Sequence, residues 1–135
     1  MIYKLTDSPT LVYKLFMFLI TEYGCKLITQ NHSNMGLMFI YQNNYAKVGV
    51  VFDYRDNDLR VDLVRGKDTQ YYSDEEYWVN IKPLAHLVIR HDSNYDISKL
   101  SMEGRGREEY YEVLIENARV LQQYGANFLN GREWI

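Results

Sequence analysis

Between Ala46 and Arg55 the chain alternates without a break. Ala46, Val48, Val50, Phe52 and Tyr54 fall on one side of a pleat, and Lys47, Gly49, Val51, Asp53 and Arg55 fall on the other. Period-two alternation specifies an antiparallel strand with one buried face. The strand lies within Gly36 to Gly66, where two turn signals, Gln42-Asn43-Asn44 and Asp56-Asn57, separate three apolar-rich runs. Asn and Asp tolerate the left-handed backbone that tight hairpins require. After the second turn, Asp58 to Arg65 repeats the pattern, with Leu59, Val61 and Leu63 facing one way and Arg60, Asp62 and Val64 the other. Cys25 to Asn31 supplies a first strand, and His32-Ser33-Asn34 a turn into the meander. The expectation is a four-stranded antiparallel meander over roughly residues 25–66. One face is open to water, with Asp53, Arg55, Arg60 and Asp62 placed on it to pair across strands.

The other face needs helices. Ser8-Pro9 opens the first, serine as cap and proline in the first turn, where its missing N–H costs nothing. Leu11, Val12, Leu15, Phe16, Phe18, Leu19 and Tyr23 form its apolar face, and Gly24 ends it. A short second helix spans Pro83 to Arg90, with Leu84, Leu87 and Val88 inward. After the Gly104-Arg105-Gly106-Arg107 turn, a long helix runs from about Arg107 to Leu129. Its stripe is Tyr111, Leu114, Ala118, Leu121, Gly125 and Phe128, and Gly125 is a point for it to kink or end. The fold class is therefore α+β: a four-stranded antiparallel β-meander with N-terminal and long C-terminal helices packed on one face. A chain of 135 residues makes this a single domain, 1–135.

Composition narrows the function classes. The lone cysteine, Cys25, excludes an internal disulfide framework and reads as a small core residue. The most apolar segment, Leu11 to Ile20, is half of the roughly 20 residues a membrane helix needs. The start, Met-Ile-Tyr-Lys-Leu-Thr-Asp, has no secretory pattern, so a cytoplasmic protein without membrane contact is expected. A net charge of −3 argues against direct nucleic-acid binding. His32, His86 and His91 stand in no metal-ligand spacing, and no GxSxG elbow occurs. Asp53, Asp56 and Asp58 fail as a calcium loop, because Asp58 and Val64 occupy the positions that require glycine and glutamate. No cofactor, metal or catalytic residue is expected.

What remains is charge and tyrosine. From Asp53 to Glu76 there are eight acids (Asp53, Asp56, Asp58, Asp62, Asp68, Asp74, Glu75, Glu76) against four bases. Tyr54, Tyr71, Tyr72, Tyr77 and Trp78 are interleaved with them. Aromatics beside carboxylates make a surface for a basic protein partner, with charge steering the encounter and rings anchoring the complex. The candidate partner-binding residues are Asp53, Tyr54, Asp56, Asp58, Asp62, Tyr71, Tyr72, Asp74, Glu75, Glu76, Tyr77 and Trp78.

The order helix, meander, short helix, long helix resembles small bacterial immunity proteins of polymorphic-toxin systems. The closing run Leu121-Gln122-Gln123-Tyr124-Gly125-Ala126-Asn127-Phe128-Leu129-Asn130-Gly131 and the stretch from Gly36 through Val64 carry the likeness. The resemblance implies a stoichiometric inhibitor of a cognate toxin, with no cofactor and no catalysis; a monomer or homodimer is expected. A phage-encoded inhibitor of a bacterial defence enzyme would use the same binding logic. Two other classes stay open: a hydrolase using carboxylates near the hairpin, and a structural subunit of a larger assembly.

Overall fold

The alternation of the meander is realised as strands in simple chain order. The computed structural model describes residues 4–71 and 79–135. Its sheet is antiparallel, β1 (Lys26–Ser33), β2 (Gly36–Gln42), β3 (Ala46–Asp53), β4 (Asp58–Arg65) and β5 (Ile81–Pro83), each strand beside its chain neighbour. The expected four strands are thus five. The added β5 pairs Ile81 with Val64 and Pro83 with Asp62. It ends in a proline, whose missing N–H suits it to a sheet edge. The Asp56-Asn57 turn forms as expected, with Asn57 in the left-handed region at φ 51°. The first turn is shorter than the sequence implied: β1 continues through His32 and Ser33, and Asn34 and Met35 make the turn. A bulge between Leu27 and Thr29 breaks the register of β1.

The helices are α1 (Ser8–Leu15), α2 (Met17–Thr21), α3 (Leu84–His91), α4 (Tyr110–Tyr124) and α5 (Ala126–Leu129). Two helices are therefore broken, the first against expectation and the last at Gly125, the point marked in the sequence. The first divides at Phe16, which leaves helical geometry at φ −102°, ψ 9°. The break lets Phe16, Phe18 and Leu19 all be buried, and the Phe16 ring stacks on both Phe18 and Tyr41. A straight helix would carry so wide an apolar surface partly into water. The last helix begins as a 3-10 turn, Arg107–Glu109, and breaks at Gly125, where a Cβ would collide with the Leu121 carbonyl. Ser8 does not cap α1. A 3-10 turn, Leu5–Asp7, runs directly into the helix, and the Ser8 hydroxyl donates inward to the Leu5 carbonyl at 2.7 Å.

One face of the sheet carries the core. Leu37, Phe39, Tyr41, Val48, Val50, Phe52, Leu59, Val61 and Leu63 meet Leu11, Val12, Leu84, Leu87, Leu114 and Leu121 in one cluster. α1, α3 and α4 pack together there, so α3 shares the cover with the N-terminal helix and the long C-terminal one. The opposite face is not simply open. Ile40, Val64, Ile81 and Asp62 on that side are buried. Tyr71, from the segment after β4, lies back across β3 at Gly49, where an added Cβ would stand 2.5 Å from its ring. A glycine within a strand marks such a close backbone approach.

Candidate functional site

The acidic positions divide into two environments along β3 and β4. At the hairpin tip, Asp56 and Asp58 are exposed and Asp53 is half-buried. Asp53 uses its carboxylate locally, accepting from the N–H groups of Arg55 at 3.0 Å and Asp56 at 3.2 Å. It stands directly opposite Asp58 in the register. Like charges in that position repel, and Arg60 offsets this by binding Asp58 Oδ2 at 2.8 Å. The same guanidinium reaches Asp62 Oδ2 at 3.0 Å. The charge pairs therefore run along β4, two residues apart, and not across strands as expected.

Asp62 belongs to the interior of the outer face. It is 7% exposed and accepts from both Arg60 and the Tyr71 hydroxyl. Both donors fall on one oxygen, Oδ2, and a buried charge needs such paired, hydrogen-bonded company. Its two partners make it a fastening for the segment after β4, and remove it from the contact surface.

Tyr54 is likewise inside, 5% exposed, on the core side with Phe52. Its hydroxyl lies 2.5 Å from Ser8 Oγ and 3.1 Å from His32 Nε2. Burial raises the Tyr54 hydroxyl pKa above its ordinary value, against an opposing pull from the Ser8 hydrogen bond. The serine–tyrosine–imidazole line has the composition of a proton relay. Ser8, however, is fully buried and its proton is directed at Leu5, so no substrate can approach it as a nucleophile. The trio ties the start of α1 to β1 and to the end of β3.

Asn57 adds what the sequence reading missed. Its Nδ2 donates to the Arg105 carbonyl at 3.0 Å and draws the 103–109 segment against the hairpin tip. That segment brings Glu103, Glu108 and Glu109, with Glu112 following on α4, all but Glu109 exposed. Arg105 is committed to Glu112 at 3.6 Å. The tip and this segment form one surface on which Asp53, Asp56, Asp58 and four glutamates outnumber Arg55, Arg60, Arg105 and Arg107. The signal in the sequence was the run of glutamates after Met102, which only the fold brings beside residues 53–58.

Of the twelve residues singled out in the sequence, Asp53, Asp56 and Asp58 share this surface. Asp62 and Tyr71 join each other on the outer face, and Tyr54 sits in the interior. Tyr72, Asp74, Glu75, Glu76, Tyr77 and Trp78 lie outside the described residues. Among the described residues no three His, Cys, Asp or Glu side chains gather as a metal site, and no helix is long and apolar enough to cross a membrane. His91 faces Glu133 at 2.9 Å and stacks on Tyr124, while His86 is exposed. No family model, curated protein or solved structure matches the chain.

Proposed function

We propose that this chain is a non-enzymatic protein-binding module, a stoichiometric inhibitor of the immunity type. It blocks a basic toxin or nucleic-acid enzyme with the acidic end of its sheet. The observation that carries the reading is the Asn57–Arg105 hydrogen bond. It joins the acids of the β3–β4 tip to the glutamates of the 103–112 segment in one surface. An enzyme that acts on nucleic acid presents a positive cleft, and a projecting acidic hairpin occupies such a cleft in place of phosphate. Opposite fields raise the association rate, and the effect fades with salt. Tyr71 is spent on Asp62 and Gly49, so the anchoring aromatic function falls to Tyr72, Tyr77 and Trp78. An inhibitor directed at a bacterial defence enzyme would work by the same contacts.

The experiment is affinity capture followed by calorimetry and a partner-activity assay. One-to-one binding that abolishes the partner's activity, and that weakens in Asp56→Lys/Glu108→Lys mainly through slower association, supports the reading. Binding unchanged by that charge reversal at low salt, or capture without inhibition, overturns it.

A further inference from the structure

Among the described residues that line its clefts, the far end of the same sheet carries the opposite charge. There the end of β4, the junction of α2 with β1, and residues 131–134 come together at the β2–β3 turn. Asn43 Nδ2 donates to the carbonyls of Tyr23 at 3.1 Å and Leu129 at 2.9 Å, while its Oδ1 accepts from the N–H groups of Tyr45 and Ala46. Two clefts of about 480 Å³ each open at this junction and share Asn44 and Tyr45. Lys26 and Lys67 line one; Arg65 and Arg132 line the other. All four cations are exposed, and none is in an ion pair with a described residue. Glu133, the one acid among the described lining residues, is already held by Arg90 at 3.3 Å and His91 at 2.9 Å. On the divide stands Tyr45, 55% exposed. Its ring rests on Gly131, a residue at φ +77° where a Cβ would come within 2.7 Å of that ring.

We propose that this end of the sheet binds single-stranded nucleic acid. Phosphates lie against Lys26 and Lys67 in one cleft and Arg65 and Arg132 in the other, and a base stacks on Tyr45 between them. A cationic track interrupted by an exposed ring is the arrangement that reads an unpaired strand, since every base has a π-face. An acidic peptide would use the cations and leave the ring idle. The sequence expectation against nucleic acid rested on net charge, which averages two ends that scarcely sense each other. Eight-residue strands at about 3.3 Å per residue separate them by roughly 25 Å, three times a Debye length of about 8 Å at physiological salt.

The test is fluorescence anisotropy of the purified protein with a labelled oligothymidylate of about 12 nucleotides. Blunt duplex and poly-glutamate serve as competitors. Binding at low salt should fall roughly 20-fold between about 50 and 200 mM salt if three phosphates are neutralised. Arg65→Gln/Arg132→Gln should weaken it at least tenfold, as should Lys26→Gln/Lys67→Gln, a pair whose exposed side chains are in no ion pair with a described residue. Tyr45→Leu keeps contact with Gly131 and should weaken oligothymidylate about tenfold while leaving poly-glutamate binding unchanged. Absence of binding at low salt overturns the proposal. So does binding that survives both charge variants, or poly-glutamate or duplex competing as well as the single strand. No partner protein enters the assay, so its failure leaves the inhibitor reading untouched.

Discussion

Asn43 donates its side-chain amide to the Leu129 carbonyl at 2.9 Å, joining two residues 86 positions apart in the chain. The same nitrogen serves the end of α2 through the Tyr23 carbonyl. With both N–H bonds and both acceptor sites used, this amide has no spare capacity. Asn43→Ala should cost about 2 kcal/mol or more, because it strands helix-end carbonyls and frees the turn together. Asn43→Asp should be no milder, since it faces a carboxylate toward two carbonyls. Urea midpoints of the two variants check this; midpoints equal to the parent's would mean that solvent replaces the amide at no cost.

Tyr71 and Asp62 should behave as a pair. Tyr71→Phe keeps the ring over Gly49 and removes one donor from a buried carboxylate, at a cost of about 1–2 kcal/mol. Gly49→Ala pushes the ring itself off β3, with an overpacking cost of about 1–3 kcal/mol. Combining the two should cost less than their sum, because a displaced ring has already lost the hydrogen bond. Strict additivity in a double-mutant cycle would show that Tyr71 and Gly49 do not act on one contact.

Acid should loosen the packing of the Tyr95 loop on α4. Glu116 receives the Arg119 guanidinium at 2.6 Å and the Tyr95 hydroxyl at 2.6 Å. The Arg119 bonds outweigh partial burial, and with help from Tyr95 they hold its carboxyl down at about 2. A depressed carboxylate pKa stabilises the fold above its unfolded value and is lost below it. The contribution of Glu116 is thus complete above the ordinary glutamate pKa of about 4.3 and disappears as the pH falls toward about 2. Denaturation midpoints of the parent and of Glu116→Gln should converge across that window. Parallel curves from pH 7 to pH 2 would reject it.

Cys25 should be chemically silent in the folded protein. It is 3% exposed, and burial pushes its thiol up to about 11. Thiolate is the reactive form, so labelling by a disulfide reagent at pH 8 should proceed only through opening of the fold. Its rate should rise with urea in step with unfolding. Labelling in native buffer at the rate of a free cysteine would contradict the buried position.

Much of the sheet was legible because its signals are local. Alternation in residues 46–54 and 58–65, with Asn57 ready for a left-handed turn, requires no knowledge of distant residues. Tyr54 is instructive: the alternation put it on the buried side with Phe52, while the charge reading put it on the surface. The alternation was right, since a strand side chain cannot change face without changing register. β5 was not legible, because three residues ending in proline become a strand only by meeting Asp62–Val64. The covered outer face was equally hidden. Its one clue was Gly49, a glycine with no local use in a strand. At the acidic surface, residues 53–58 were found from their own sequence. Glu103, Glu108, Glu109 and Glu112 joined them only through the Asn57 side chain.

The strictly sequential sheet has a temporal meaning as well. Each strand finds its partner one turn or one connection away, so β1 through β4 can zip together hairpin by hairpin while the rest of the chain is still being made. α1 has no such freedom. Its neighbour α4 begins about a hundred positions later, and the Tyr110 hydroxyl must reach the Lys4 carbonyl to close the gap. Non-local closure is the slow step in assembling a domain. During synthesis, Leu11, Val12, Phe16 and Leu19 would therefore wait beside a half-covered sheet, and the nascent chain is most in need of a chaperone in the interval between the emergence of β4 and that of α4.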